Sequence, residues 1–260
     1  MLYLLLIVAL PALDCPPGAE LRTTPKPEGT QLWCESKFDG KYVMHGPAES
    51  RFSSGQLAER RTYQNGKAQG PYLRFYANGQ KAEEGTYKDD QKQGLWQSWY
   101  SNGQLGTQQQ FEHGKLHGHS LSFHPNGKKG EEGEYLHGQP DGLWVSWYEA
   151  GKVHAQVPFK NGVQQGLRTI WHEAGVRDEE GQMVGGKQHG KWTYWHDNGF
   201  KKAEGMYDHG QRQGIWLQWL ENGQKSAELE WLDGRVIHAK DIPMPGGPVS
   251  ADAGFRAIGE

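Results

Sequence analysis

The chain has 260 residues, 37 of them glycine, with a mean hydropathy of −0.85 and a formal charge of −3. So little aliphatic material leaves a two-layer globule short of core. A near-neutral balance gives no bias toward polyanions, which argues against nucleic acid as a partner.

Residues 1–14 stand apart. Leu2 to Leu13 is an apolar run about as long as the hydrophobic region of a signal peptide and too short to span a bilayer, so the segment reads as a secretory leader, although no Lys or Arg precedes it. Residues 15–37 come next, containing the two cysteines of the chain, Cys15 and Cys34. In an exported chain these would join in a disulfide, contributing about 3 kcal/mol in the chain-entropy model. The segment would then cap the exposed strand edge of the first repeat. A lipid anchor on Cys15 is disfavoured by Asp14, which stands where a small residue is needed.

From residue 38 to 237 one spacing governs everything. Gly46, Gly70, Gly94, Gly118, Gly142, Gly166, Gly190 and Gly214 recur every 24 residues, and a second glycine comes nine residues after each, from Gly55 to Gly223. Such a period marks a small unit copied along the chain, each copy stacking on its neighbours. Asn-Gly recurs at the first turn (Asn78-Gly79, Asn102-Gly103, Asn126-Gly127, Asn198-Gly199, Asn222-Gly223). Both residues tolerate the positive φ of tight hairpins, so each unit predicts a β-hairpin. The second turn, with its Gly-x-x-x-Gly spacing, reads as a longer glycine loop. About sixteen strands are expected in an all-β, elongated single-layer antiparallel sheet, two for each of the eight copies. Residues 238–260, with Pro243, Pro245 and Pro248, read as an irregular tail.

Aromatic residues keep the same clock. Phe75, Trp99, Phe123, Trp147, Trp171, Trp195 and Trp219 lie five residues after the leading glycine; Tyr72, Trp96, Trp144, Trp192 and Trp216 lie two after it. Alternation along a strand sends these columns to opposite faces. A two-residue Asn-Gly loop would place Trp96 with Leu105 and Phe111, whereas a three-residue loop would place Trp99 with them; a one-residue slip decides. The glycine column Gly85, Gly133, Gly181 and Gly205 fits the first arrangement, with an aromatic ring covering bare backbone on the next strand.

The pattern Gly-x-Trp-x-x-Trp-Tyr-x-x-Gly, then Glu-Gly-x-Tyr-x-x-Gly, clearest over residues 94–103 and 190–210, resembles the bacterial variant of the MORN repeat. The resemblance covers about residues 38–237. It implies a sheet of hairpins serving as a scaffold or binding surface, with no catalytic residues to carry over. Bacterial arrays of this kind are often labelled antitoxins of toxin–antitoxin pairs, a role that a secretory leader argues against.

Histidine offers little as a metal ligand. His113, His137 and His209 share a column with Asn65, Asn161, Asp89 and Asp233, which is turn chemistry; His124, His172 and His196 share one with Tyr76, Tyr100 and Tyr148, which is aromatic packing. Glu84, Glu132, Glu180, Glu204 and Glu228 form a carboxylate column, with Lys81, Lys129, Arg177, Lys201 and Lys225 three residues earlier. Copies about 9.6 Å apart, two strand separations, make this a solvated ladder rather than an acid–base pair. No metal, cofactor or catalytic residue is expected. The binding candidates are Trp96, Trp144, Trp192 and Trp216 with Arg168, because Ser120 and Arg168 interrupt that row and a packed column should tolerate an arginine poorly; the Trp99–Trp219 column is then the core. The expected function is that of an exported, secreted or periplasmic scaffold without enzymatic activity. It would bind a protein or cell-envelope component along one face, and peripheral membrane association is compatible with it. A glycan or cell-wall module and an antitoxin or immunity-type protein are the alternatives.

Overall fold

A computed structural model describes residues 13–242 and 256–257. The leader expected at residues 1–14 falls almost wholly outside the described residues, as does the tail from residue 243 apart from 256–257. Every regular element described is a strand.

The chain divides into two compact units. The first runs to Gly118 and takes in Pro125–Gly127. It contains β1 (Glu20–Lys26), β2 (Gly29–Phe38), β3 (Lys41–Phe52), β4 (Leu57–Gln64), β5 (Lys67–Phe75), β6 (Lys81–Lys88), β7 (Gln91–Trp99) and β8 (Leu105–Glu112), each antiparallel to the next. β9 (Lys115–Phe123) has residues in both units. The second holds β10 (Lys129–Leu136), β11 (Gln139–Trp147), β12 (Val153–Lys160), β13 (Val163–Gln164), β14 (Gly166–Trp171), β15 (Arg177–Val184), β16 (Lys187–Trp195), β17 (Lys201–Asp208), β18 (Gln211–Trp219), β19 (Lys225–Leu232), β20 (Arg235–Asp241) and the short β21 (Arg256–Ala257). There too each strand is antiparallel to the next, except that β13 and β14 both pair with β12. The break between β13 and β14 lies opposite Pro158, which has no N–H to give the ladder; its carbonyl accepts from Gln165 N at 2.9 Å instead.

Strand pairing continues at both ends of the array. The segment containing Cys15 and Cys34 is itself a hairpin of strands, and its disulfide is formed, with S–S 1.99 Å. Pro16 is drawn against the first repeat, where a Cβ on Gly46 would lie 2.5 Å from the proline ring. β1 is exposed along its length and carries Glu20, Arg22, Pro25 and Lys26, residues that discourage further strand pairing. At the other end, pairing with β19 continues to Asp241, past the limit of 237 expected for the array.

The turns exchange the roles expected of them. At the Asn-Gly positions the loop has three residues: Gly79 N bonds Tyr76 O at 2.9 Å and Tyr76 N bonds Gln80 O at 2.8 Å. There φ is positive at Gly79 and not at Asn78, the pattern of a type I turn ending in a left-handed glycine. The two-residue turn with both φ positive occurs at the other end of the strands, as at Asn65-Gly66 (50° and 83°) and His113-Gly114 (48° and 76°). The His/Asn/Asp column is therefore turn chemistry, as its composition predicts.

Hairpins also carry a bulge beside the three-residue loop, as at Gly106 where Ser98 faces Thr107 and Trp99 faces Leu105, and a second irregularity across the glycine column, as between Glu84 and Thr86. The bulge beside the loop shifts the register by one residue and so exchanges the faces, whereas the one at the glycine column shifts it by two and preserves them. Trp99 consequently pairs with Leu105, as a three-residue loop demands, while Trp96 meets Phe111 edge-on at 6.2 Å, as the two-residue loop would have it.

Candidate functional site

The buried face in each unit is built by one recurring contact. Gly85, Gly133, Gly181 and Gly205 have no Cβ; one added there would lie 2.2–2.3 Å from the ring of Trp96, Trp144, Trp192 or Trp216. Each indole lies flat on the bare backbone, and its Nε1 donates to the carbonyl just past the glycine: Thr86 at 3.2 Å, Glu134 at 3.2 Å, Gln182 at 3.1 Å and Met206 at 3.1 Å. A buried indole with its N–H satisfied carries no polar penalty. Tyr87, Tyr135 and Tyr207 meet Trp96, Trp144 and Trp216 edge-on at 5.0, 4.9 and 5.1 Å.

This overturns the expected binding row. Trp96, Trp144, Trp192 and Trp216 are 3%, 7%, 0% and 0% exposed and form the core, so they present no half-wet surface. Arg168 sits in the same column but brings its counterion, with Nη2 2.6 Å from Glu179 Oε1. Burial raises the pKa of Glu179, and the guanidinium opposes that rise. The interruptions have a packing cause. Where the glycine is absent, at Arg61, Gln109 and Val157, the residue eleven positions on is Tyr72, Ser120 or Arg168 instead of tryptophan. A side chain on the first strand leaves no floor for an indole on the second.

The opposite face is the candidate surface. Trp99, Trp147, Trp171, Trp195 and Trp219 are only partly buried there. A cation leans over several of the rings: Lys81 over Trp99 at 4.9 Å, Lys129 over Trp147 at 5.5 Å, Arg177 over Trp195 at 5.8 Å and Lys201 over Trp219 at 5.7 Å. The same cations pair with the carboxylate column, Lys81–Glu84 at 2.5 Å, Lys129–Glu132 at 2.7 Å, Arg177–Glu180 at 3.5 Å and Lys201–Glu204 at 2.7 Å. The hydrogen bond from Lys129 holds Glu132 below the usual carboxylate range. Burial alone would raise Glu204, but hydrogen bonds from Lys201 and Lys191 outweigh it and lower its pKa. Glu132 and Glu204 are thereby favoured as ionised partners of a ladder, the opposite of a carboxyl kept protonated for acid catalysis.

Outside that ladder runs an aliphatic row that sequence reasoning passes over. Leu143, Leu167 and Ile215, each one residue after a leading glycine, are 54%, 49% and 55% exposed, and Leu95 occupies the same place in the first unit. Its signal is present in the sequence: Leu95, Leu143, Leu167 and Ile215 stand at one offset of an otherwise polar strand face.

Two of the three histidines that share a column with Tyr76, Tyr100 and Tyr148 act as donors. His124 Nε2 lies 2.8 Å from Trp147 O and His196 Nε2 2.9 Å from Trp219 O, matching Tyr76 Oη to Trp99 O and Tyr148 Oη to Trp171 O, both 2.7 Å. The carbonyl accepts, so Nε2 carries the proton. These rings tie each copy to the next, a role beyond the packing expected of them.

Residues 44–65, 68–89, 92–113, 116–137 and 140–161 match the family model described as MORN repeat variant. The chain contains MORN repeats. Beyond residue 161 the MORN spacing continues on the chain's own 24-residue period to Gly234. No curated protein matches the sequence significantly. Among the described residues no helix is long and apolar enough to cross a membrane.

Proposed function

We propose that this MORN array is a non-enzymatic, exported scaffold that binds a protein partner through the face of the second unit bearing Trp147, Trp171, Trp195 and Trp219. One observation carries the reading: that face leaves Leu143, Leu167 and Ile215 about half exposed beside partly buried tryptophans, while the other face spends its tryptophans on the core. Aliphatic side chains held on a rigid sheet beside large rings supply the desolvated centre of a protein interface, and the Lys/Glu ladder supplies a polar rim. The cations over the rings leave less ring surface for sugars, which weighs against a glycan module. The Cys15–Cys34 disulfide supports an oxidising compartment, the cell envelope or beyond.

The test is a triple variant, Leu143→Ser, Leu167→Ser and Ile215→Ser, compared with wild type for capture of envelope proteins and of cell-wall polysaccharide. Protein capture should fall at least about tenfold, the scale of losing interface anchors, with an unchanged melting temperature. Undiminished protein capture, or binding of polysaccharide alone, would remove this reading.

A further inference from the structure

We propose that His189, Asp208 and His209 form a binding site for a divalent transition-metal ion of the zinc class. Their ligand atoms lie within 4.8 Å of one another. His189 Nδ1 is 3.4 Å from Asp208 Oδ1, His209 Nδ1 is 2.6 Å from the same oxygen, and the imidazole rings are 5.6 Å apart at 71°. Tetrahedral zinc with bonds near 2.0–2.1 Å needs ligand atoms roughly 3.3 Å apart, so small side-chain rotations close the site. Two neutral imidazoles and a carboxylate suit zinc, cobalt, nickel or copper rather than calcium or magnesium.

The repeat shows what is unusual here. In other copies the residue at the position of His189 holds the next two-residue turn: Gln69 accepts from Asp89 N at 2.8 Å, Gln93 from His113 N at 3.2 Å, Asp141 from Asn161 N at 3.0 Å and Gln165 from Gly185 N at 2.9 Å. His189 has left that task. Its Nδ1 is buried and closes no hydrogen bond, although Asp208 Oδ1 lies 3.4 Å away, a costly state for a polar atom unless something else satisfies it. The backbone explains why the three residues meet. Asp208 ends β17, and His209 begins the turn with φ at 48°. His189 lies on β16, one step beyond the pair Gly190–Tyr207. The set is three-coordinate and partly exposed, which leaves room for a water or a partner's side chain as the fourth ligand.

The array itself supplies variants that should fold. His189→Gln installs the residue found at positions 69, 93 and 165, and His209→Asn installs the one that holds the same positive φ at positions 65 and 161. The full chain, without a polyhistidine tag and stripped by chelation, is titrated with Zn²⁺ by calorimetry and with Co²⁺ by visible absorption. Wild type should bind one equivalent per chain. Each single variant should lose at least about tenfold in affinity, since disturbing even a ligand's supporting partner does as much, and the double variant should not bind while melting as metal-free wild type does. Absence of saturable binding in wild type, or affinity unchanged in the double variant, would overturn the site.

Discussion

Replacing Trp192 or Trp216 with alanine should destabilise the second unit by about 3–5 kcal/mol, the range for emptying a large buried aromatic site. The same change at Trp195 or Trp219 should cost clearly less. Trp192 and Trp216 are fully buried, pack with Met183 and Tyr207, and close their own indole hydrogen bonds; Trp195 and Trp219 are partly exposed. Each copy is stabilised mainly by its neighbours, so a lost core ring should melt the adjoining strands before distant ones. Urea unfolding monitored by circular dichroism measures the difference. Equal costs at the two columns would mean that the faces are misassigned.

The second large effect concerns glycine. Gly205→Ala would put a methyl 2.3 Å from the ring of Trp216, and the indole must leave or the strand must move. A cost of about 1–3 kcal/mol is expected from overpacking alone, more if the Nε1 bond to Met206 is lost. In a Trp216→Ala background the same substitution should cost almost nothing, because alanine in a strand is otherwise the better residue. The coupling of the two sites, read from the four proteins of a double-mutant cycle, is the decisive quantity. The array also permits the reverse exchange. Arg168→Trp alone should destabilise, since Val157 occupies the place of the glycine and Glu179 loses its partner. Adding Val157→Gly and Glu179→Ala rebuilds the pattern of the tryptophan-bearing copies, in which Thr107, Ala155, Ala203 and Ala227 stand where Glu179 does. Stability should return to wild type or above. A triple variant as unstable as Arg168→Trp would show that glycine is not what admits the indole.

The period, the hairpins, the turn histidines, the disulfide and the covering of Gly85, Gly133, Gly181 and Gly205 by aromatic rings are all legible in the sequence, because each depends on local chemistry, most of it repeated many times. The bulges are not, and the one beside the loop matters most to which face is which. Strict alternation cannot foresee an extra residue such as Gly106, and one such residue lets both loop lengths be half right. The choice of Trp96, Trp144, Trp192 and Trp216 as a wet row fails for a different reason. Ser120 and Arg168 look like exceptions within one column, when the cause lies in another, at Gln109 and Val157. Comparing columns eleven residues apart shows glycine and tryptophan rising and falling together. The inter-copy hydrogen bonds of His124 and His196 are hidden because Tyr and His share both a ring and a donor at its far end. The strands at residues 20–38 carry no trace of the period and emerge only from pairing with β3.

Chemical modification of tryptophan in the native protein, mapped by peptide mass spectrometry, compares the two faces most directly. Trp147, Trp195 and Trp219 should react readily with a limiting dose of indole-oxidising reagent, while Trp144, Trp192 and Trp216 stay protected until the array unfolds. Reaction of the Trp144 column at the rate of the Trp147 column, in protein that remains folded, would contradict the placement of the core and the binding face drawn from it.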